Sequence, residues 1–209
     1  MSGIYIHIPF CKQACHYCDF HFSTNLKKKD EMVLALAKEI EMRKSEFQDE
    51  IVETIYFGGG TPSILQIEDL KFLIDAVYKN YKVVENPEIT VEANPDDLTE
   101  NRIIELSNNK VNRLSIGIQS FFEDDLQLMN RAHNVEEAKK CLEIATHYFD
   151  NISIDLIYGV PEMSNEKWLQ NIETALSFGV PHISSYALTV EPKTALHSFI
   201  QIGIIPQPD

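Results

Sequence analysis

Cys11-Lys12-Gln13-Ala14-Cys15-His16-Tyr17-Cys18 is the stretch around which the rest of the sequence is organised. It places three thiols within eight positions, with the spacing C-x3-C-x2-C. Thiolates are soft ligands that bind iron–sulfur clusters, zinc or copper(I). Three cysteines on one short loop can hold three corners of a cubane cluster and leave the fourth iron open. A structural zinc site normally has four protein ligands, and His7, His16 or His21 could supply the fourth, so zinc stays open at this point.

The thiols directly follow the first strand that the sequence predicts. Gly3-Ile4-Tyr5-Ile6-His7-Ile8 alternates with a period of two, which is typical of a strand, and Pro9 ends it. The cysteines therefore lie after the carboxyl end of a strand, where α/β proteins bind their ligands.

Six repeats of a strand followed by a helix account for most of the chain. The predicted strands are 3–8, 53–57, 88–92, 113–119, 152–157 and 182–188, and the predicted helices are 29–48, 65–81, 99–108, 122–129, 134–148 and 165–178. This alternation predicts an α/β fold with a parallel sheet and right-handed crossovers. One face of the strands is apolar and the other is polar or small. Because helices cover the apolar face, the polar face is expected to line a wet interior. The sequence thus predicts an incomplete (β/α)6 parallel barrel, two units short of a closed (β/α)8 barrel.

Composition and charge narrow the classes of function. The 209 residues carry a formal charge of −14, which disfavours nucleic acid and anionic membranes as partners. No apolar run approaches the length needed to span a bilayer, and the start of the sequence shows no signal peptide. Three clustered cysteines out of four indicate metal binding in a reducing compartment rather than disulfides. The expected location is therefore the cytoplasm.

Two further features follow strand ends. Gly58-Gly59-Gly60-Thr61 lies between the second strand and a helix, where backbone N–H groups could approach an anionic ligand, although a plain turn is an equal alternative. Glu92, Gln119 and Asp155 each lie near the carboxyl end of a strand on the polar face. Barrel enzymes assemble their sites from such residues, whereas the alternative is that each one caps a helix or bonds a loop. No Ser-His-Asp or Cys-His nucleophile arrangement is discernible.

The segment from Tyr5 through Cys18 to Phe20 resembles the opening of the radical S-adenosylmethionine (SAM) enzymes. More narrowly, it is similar to the oxygen-independent coproporphyrinogen III oxidase family, which includes a heme-chaperone branch. The resemblance extends from Gly3 to about Pro192. It implies a radical SAM barrel in which Cys11, Cys15 and Cys18 hold a [4Fe–4S] cluster whose open iron binds S-adenosylmethionine. One electron from such a cluster cleaves the sulfonium and yields a radical that abstracts a hydrogen atom.

The resemblance also implies which residues bind S-adenosylmethionine. In the family, the glycine-rich segment contacts the amino group of the methionine half of S-adenosylmethionine. Arg131 matches a position where a guanidinium pairs with the carboxylate of that methionine half. Some of the other matching positions serve a second S-adenosylmethionine in the oxidase. The full set that the resemblance implies is Tyr5, Gly59, Gly60, Thr61, Glu92, Gln119, Arg131, Asp155 and Ala187.

Phe20 distinguishes the two branches of the family. The oxidase typically carries a further cysteine two residues after the last cluster ligand, and here that position is Phe20. This departure resembles the heme-chaperone branch, so a heme chaperone is the favoured function. The alternative is the oxidase, which makes protoporphyrinogen IX by oxidative decarboxylation. The implied partners are porphyrin or heme as ligand and an electron donor such as a flavodoxin or ferredoxin.

The predicted domain division places a radical SAM core at 1–192 and a loose linker at 193–209, leading to a C-terminal domain that this chain lacks.

Two further residues, Cys141 and His7, are not expected to bind metal or cofactor. Cys141 lies on the apolar stripe of a predicted helix and is expected to be a buried apolar residue. His7 faces the polar interior and is expected to form hydrogen bonds rather than to bind metal.

Overall fold

The computed structural model describes residues 2–47 and 50–208 of the chain. Within these residues, six parallel strands form one sheet in the sequential order β1–β2–β3–β4–β5–β6. The strands are β1 Ser2–Ile8, β2 Val52–Gly59, β3 Val83–Ala93, β4 Arg113–Gln119, β5 Ile152–Tyr158 and β6 His182–Ala187. The helices are α1 Lys29–Met42, α2 Ile67–Asn80, α3 Glu100–Ser107, α4 Glu123–Leu128, α5 Val135–Tyr148, α6 Asn165–Ser177 and α7 Ala195–Gln201. In the described chain β1 and β6 do not pair with each other, so the sheet is the predicted incomplete (β/α)6 barrel.

The two faces of the sheet differ as the sequence predicts. On the apolar face Ile55, Phe57 and Ile154 are fully buried in one large apolar cluster. Each such side chain stabilises the fold by about 1.5–3 kcal/mol relative to exposure. On the polar face Tyr5 and Tyr186 are more than half exposed. The helices therefore enclose the core, and the polar face is left to form a site.

The boundaries of the first helix differ from the prediction. We predicted a helix over 29–48, but α1 ends at Met42 and a 3-10 turn follows at Lys44–Phe47. Arg43 lies at the break and pairs with Glu39 at 3.2 Å and with Glu46 at 3.0 Å, so its guanidinium links helix and turn. Residue 48 lies outside the described residues. None of the described helices is long and apolar enough to cross a membrane.

The predicted linker contains a helix that the sequence interpretation missed. The hydroxyl of Thr194 accepts a hydrogen bond from the backbone N–H of His197 and caps α7. Leu196 is 1% exposed and packs in a second apolar cluster with Leu126, Met129 and others. A helix this short is not stable by itself, so packing against the rest of the chain stabilises it. Residue 209 of the linker lies outside the described residues.

Candidate cofactor-binding site

A cavity of about 880 Å³ lies on the polar face, at the carboxyl ends of the strands. Its lining includes every predicted site residue except Tyr5: Cys11, Cys15, Cys18, Gly59, Gly60, Thr61, Glu92, Gln119, Arg131, Asp155 and Ala187. Tyr5 instead stacks on Tyr56, with 5.9 Å between ring centroids. The hydroxyl of Tyr5 forms a hydrogen bond of 3.0 Å with Nδ1 of His7, so the hydrogen-bonding role expected of His7 is confirmed. The chain thus brings together residues of β2 to β6 and of the loop that follows β1 around one space.

The cysteine loop (residues 11–18) is fixed at its first half by ion pairs. The ammonium of Lys12 lies 3.1 Å from a carboxylate oxygen of Asp96 and also pairs with Asp97. The backbone N–H of Cys11 donates to the carbonyl of Ser23 at 3.1 Å. The ion pairs tie the loop to the turn that follows β3, and the Cys11 hydrogen bond ties it to the segment around Ser23.

The second half of the cysteine loop is fixed through His16. Its backbone N–H donates to the carbonyl of Met129 at 3.0 Å, and its Nδ1 lies 2.9 Å from the carbonyl oxygen of Leu128. The carbonyl of His16 accepts from the N–H of Leu196 at 2.8 Å, and its ring meets that of Phe199 edge to face. The loop is therefore held by residues far away in the sequence, including α7.

The glycine-rich loop directs its N–H groups into the protein. The N–H of Gly59 donates to the carboxylate of Glu92 at 3.0 Å. The N–H of Gly60 donates to the carbonyl of Ile8 at 2.8 Å, and the N–H of Thr61 donates to the carbonyl of Phe10 at 2.7 Å. The expectation that these N–H groups approach an anionic ligand is therefore wrong, because they are already used. The loop can meet a ligand with its carbonyl oxygens, which suit an ammonium group.

Close approach of two backbones explains the glycine at position 60. A Cβ atom added there would lie 2.5 Å from the carbonyl oxygen of Phe10 and 2.9 Å from that of Ile8. We expect Gly60→Ala to lower the free energy of unfolding by about 1–3 kcal/mol and to displace the neighbouring Cys11. Urea unfolding, together with the iron retained after anaerobic reconstitution, measures both effects.

Gly179→Ala is the matched control for this prediction. A Cβ atom at Gly179 meets nothing within 4 Å, but its φ of +71° is left-handed. The control should therefore lose about 1–2 kcal/mol from backbone strain while it retains iron. A Gly60→Ala protein with the iron content and stability of the original would show that the two backbones are not tightly apposed.

Arg131 supplies a buried cation beside the thiols. Its Nη1 lies 3.3 Å from the sulfur of Cys15, and its Nη2 donates to Asn94 Oδ1 at 2.5 Å and to the carbonyl of Gly117 at 2.9 Å. Its Nε is buried and has no hydrogen-bond partner within residues 2–47 and 50–208. In the part of the chain that the structure describes, Arg131 has no ion pair with a carboxylate. Because an uncompensated buried charge is unfavourable, this guanidinium is suited to an anionic group of a ligand.

Two carboxylates lie across the same cavity and differ in their roles. Glu92 accepts from the hydroxyl of Tyr56 at 2.8 Å and from the N–H of Gly59, so it orients the glycine-rich loop. Burial, and to a smaller extent the charge of Glu92, raises the pKa of Asp155 to about 6 against the opposing effect of Arg131. Asp155 is therefore a carboxylate at neutral pH and a hydrogen-bond donor in mild acid.

Some residues of the site were missed from the sequence. Asn94 and Tyr17 both line the cavity and contact Arg131. Asn94 could have been predicted, because it lies at the carboxyl end of β3 and the other predicted residues also lie at the ends of their strands. Nothing in the sequence distinguishes Tyr17. Cys141 is 2% exposed and does not line the cavity, so its prediction as a buried apolar residue is confirmed.

The chemistry of the donor set suits an iron–sulfur cluster. The thiols of Cys11, Cys15 and Cys18 all line the cavity. Thiolates are the soft ligands by which proteins hold such clusters. Among the described residues, no three His, Cys, Asp or Glu side chains converge closely enough to hold one metal ion.

The comparisons with known proteins agree with this geometry. A model of the radical SAM superfamily matches residues 5–175. The chain is 39% identical over 211 residues to heme chaperone HemW of Bacillus subtilis, covering 100% of this chain and 56% of that protein. It is 38% identical over 200 residues to heme chaperone HemW of Escherichia coli, covering 94% of this chain and 53% of that protein. The solved structure of coproporphyrinogen III oxidase (HemN) from Escherichia coli, a radical SAM enzyme, has a TM-score of 0.87 at 28% identity and covers 99% of this chain and 48% of that one. The chain thus spans about half the length of the curated relatives it matches.

Proposed function

The chain belongs to the radical SAM superfamily, and on that premise we propose that it is the core of a heme chaperone of the HemW type. The superfamily implies a [4Fe–4S] cluster and S-adenosylmethionine. The observation that carries the proposal is the shared cavity, in which three thiols lie beside a buried guanidinium that has no carboxylate partner among the described residues. The curated relatives named above support the heme-chaperone branch.

The residues of the cavity fit both cofactors. Cys11, Cys15 and Cys18 would hold the cluster, and Arg131 would bind the carboxylate of S-adenosylmethionine. The carbonyl oxygens of Gly59 and Gly60 would accept from its amino group. When bound, the two cofactors supply one-electron reductive chemistry at a sulfonium; the protein supplies orientation and a screened cavity.

The surrounding residues fix these groups in place. Glu92 holds the glycine-rich loop through the N–H of Gly59, and the Lys12 ion pairs hold the cysteine loop. Tyr17 lies within 3.5 Å of Arg131 and helps to exclude water from the guanidinium. Exclusion of water strengthens the attraction between Arg131 and a bound carboxylate.

Phe20 is the residue that favours the chaperone over the oxidase. Its side chain is 72% exposed and lines the cavity, in the position where the oxidase has a cysteine. An aromatic ring cannot replace a thiol in ligation or hydrogen transfer, but it offers an apolar surface to a flat ligand such as heme. The structural likeness to coproporphyrinogen III oxidase keeps that enzyme as the second candidate.

The location and the reducing partner follow from the same chemistry. Three thiols that bind a cluster must stay reduced, and the cytoplasm keeps thiols reduced. We therefore place the protein in the cytoplasm, with a flavodoxin or ferredoxin as electron donor.

The function can be tested on the full-length protein. We expect the anaerobically reconstituted protein, supplied with reductant and S-adenosylmethionine, to bind heme but not to convert coproporphyrinogen III. Heme binding is measured by absorbance titration, and product porphyrins are separated and counted. The coproporphyrinogen III oxidase of Escherichia coli, assayed in parallel, is the positive control. Sustained multiple-turnover formation of protoporphyrinogen IX would replace the chaperone assignment by the oxidase.

A further inference from the structure

Gln119 lines the cavity from an unusual backbone conformation. Its φ is +68°, and the pairing of β4 with β5 shifts register between Gly117 and Gln119. The N–H of Ser120 donates to the carbonyl of Ile118 at 2.9 Å, which closes a three-residue turn with Gln119 at its centre. A γ-turn with positive φ is rare and strained, and a residue with a side chain adopts it only where its surroundings enforce it.

The turn places the Gln119 amide beside Arg131. A Cβ atom added at Gly117 would lie 2.8 Å from Nε2 of Gln119 and 3.2 Å from Nη2 of Arg131. Both groups therefore lie directly over Gly117. Gln119 is only 7% exposed, so its amide is confined to this part of the cavity.

His133 holds one side of the turn. Its Nε2 lies 3.1 Å from the carbonyl oxygen of Ile118, the same carbonyl that closes the turn. Because a carbonyl only accepts, Nε2 carries the hydrogen. The ring is 3% exposed, and its Nδ1 has no hydrogen-bond partner among the described residues. The Ile118 contact is thus the hydrogen bond that fixes the orientation of this ring.

A second set of buried polar groups holds the other side of the turn. The hydroxyl of Ser120 donates to Oδ2 of Asp125 at 2.6 Å, and the N–H of Phe121 donates to Oδ1 of Asn171 at 2.6 Å. Asp125 in turn accepts from the ammonium of Lys167 at 2.6 Å. With both flanks fixed, the strained residue between them has little freedom to relax.

We propose that His133 is a positioning residue for cofactor binding. By holding the Ile118 carbonyl in the γ-turn, it keeps the Gln119 amide next to the Arg131 guanidinium, so that the two groups face S-adenosylmethionine together. The inference rests on the proposed function, because it requires this cavity to bind that cofactor.

The test compares His133→Leu with His133→Gln in the reconstituted full-length protein. Glutamine keeps an N–H donor at a similar distance from the backbone, whereas leucine removes it. We expect His133→Leu to bind S-adenosylmethionine about tenfold more weakly and His133→Gln to stay within about threefold of the original protein. His147→Leu, an exposed histidine of α5, should change nothing. The readouts are the dissociation constant by calorimetry and the change that the cofactor causes in the spin-resonance spectrum of the reduced cluster.

The outcomes separate the inference from the proposed function. Unchanged binding in His133→Leu, or binding in His133→Gln as weak as in His133→Leu, overturns the positioning role alone. An original protein that binds no S-adenosylmethionine overturns both. If His133→Leu does not fold, Gln119→Gly and Gln119→Ala decide: both should bind about tenfold more weakly, and the glycine variant should have the higher urea midpoint because it relieves the strain. A glycine variant no more stable than the alanine variant contradicts the strained turn and overturns the positioning role of His133, which acts through that turn.

Discussion

Replacing Cys11, Cys15 or Cys18 by alanine, one at a time, should abolish assembly of the cluster. The three thiols line one cavity, and two remaining thiolates cannot hold a cubane firmly. The three variants should therefore be equal in effect, with iron and sulfide falling to background. Metal and sulfide analysis after anaerobic reconstitution, together with absorbance and spin resonance, measures the loss.

Cys141→Ala is the matched control because it removes the same chemical group elsewhere. Cys141 is buried in α5 among apolar residues, and burial raises the pKa of its thiol to about 12. A thiol that does not ionise at neutral pH is a poor ligand, so this variant should retain its iron. If Cys141→Ala lost iron as completely as Cys15→Ala, the three-ligand assignment would fail.

Arg131→Met should weaken the binding of S-adenosylmethionine by about a hundredfold or more, since charge-assisted pairs in a dry site are strong. In the described chain, the Nε of this guanidinium is buried without a hydrogen-bond partner, and the guanidinium forms no ion pair with a carboxylate. A carboxylate of a bound ligand would therefore supply the missing negative charge. Methionine fills a similar volume without charge. Because the substitution removes an uncompensated buried cation, the apoprotein should be about as stable as before.

Arg43→Met provides the control for this prediction. Its side chain is 57% exposed, and among the described residues it pairs only with neighbours on α1 and the turn that follows. Calorimetry with the reconstituted protein gives the affinities, and urea unfolding gives the stabilities. An Arg131→Met protein that binds S-adenosylmethionine like the original would remove the guanidinium from the binding site.

The sequence predicted those parts of the molecule that depend on local pattern. β4 was predicted at its exact bounds, because an alternating run has clear polar limits at both ends. The site residues at strand ends could also be predicted, since parallel strands bring their carboxyl ends to one edge. The directions of the N–H groups of Gly60 and Thr61 could not, because they depend on Ile8 and Phe10, some fifty residues earlier.

Other features escaped prediction for the same reason. The γ-turn at Gln119 requires His133 and Asn171, which come from different loops and helices. Helix α7 is too short for its apolar spacing to be recognised. It forms because Leu196 packs in a buried apolar cluster with residues such as Leu126 and Met129. Each of these is a local conformation determined by distant contacts.

The contact between His16 and α7 has a consequence for protein synthesis. Leu196 and Phe199, which hold the loop of the thiols, leave the ribosome some 180 residues after it. At typical elongation rates this interval is roughly ten to forty seconds. Until it ends, the thiols belong to a nascent chain in which their loop is not yet anchored. We therefore expect the loop of the proposed metal centre to reach its final conformation only after translation of the core.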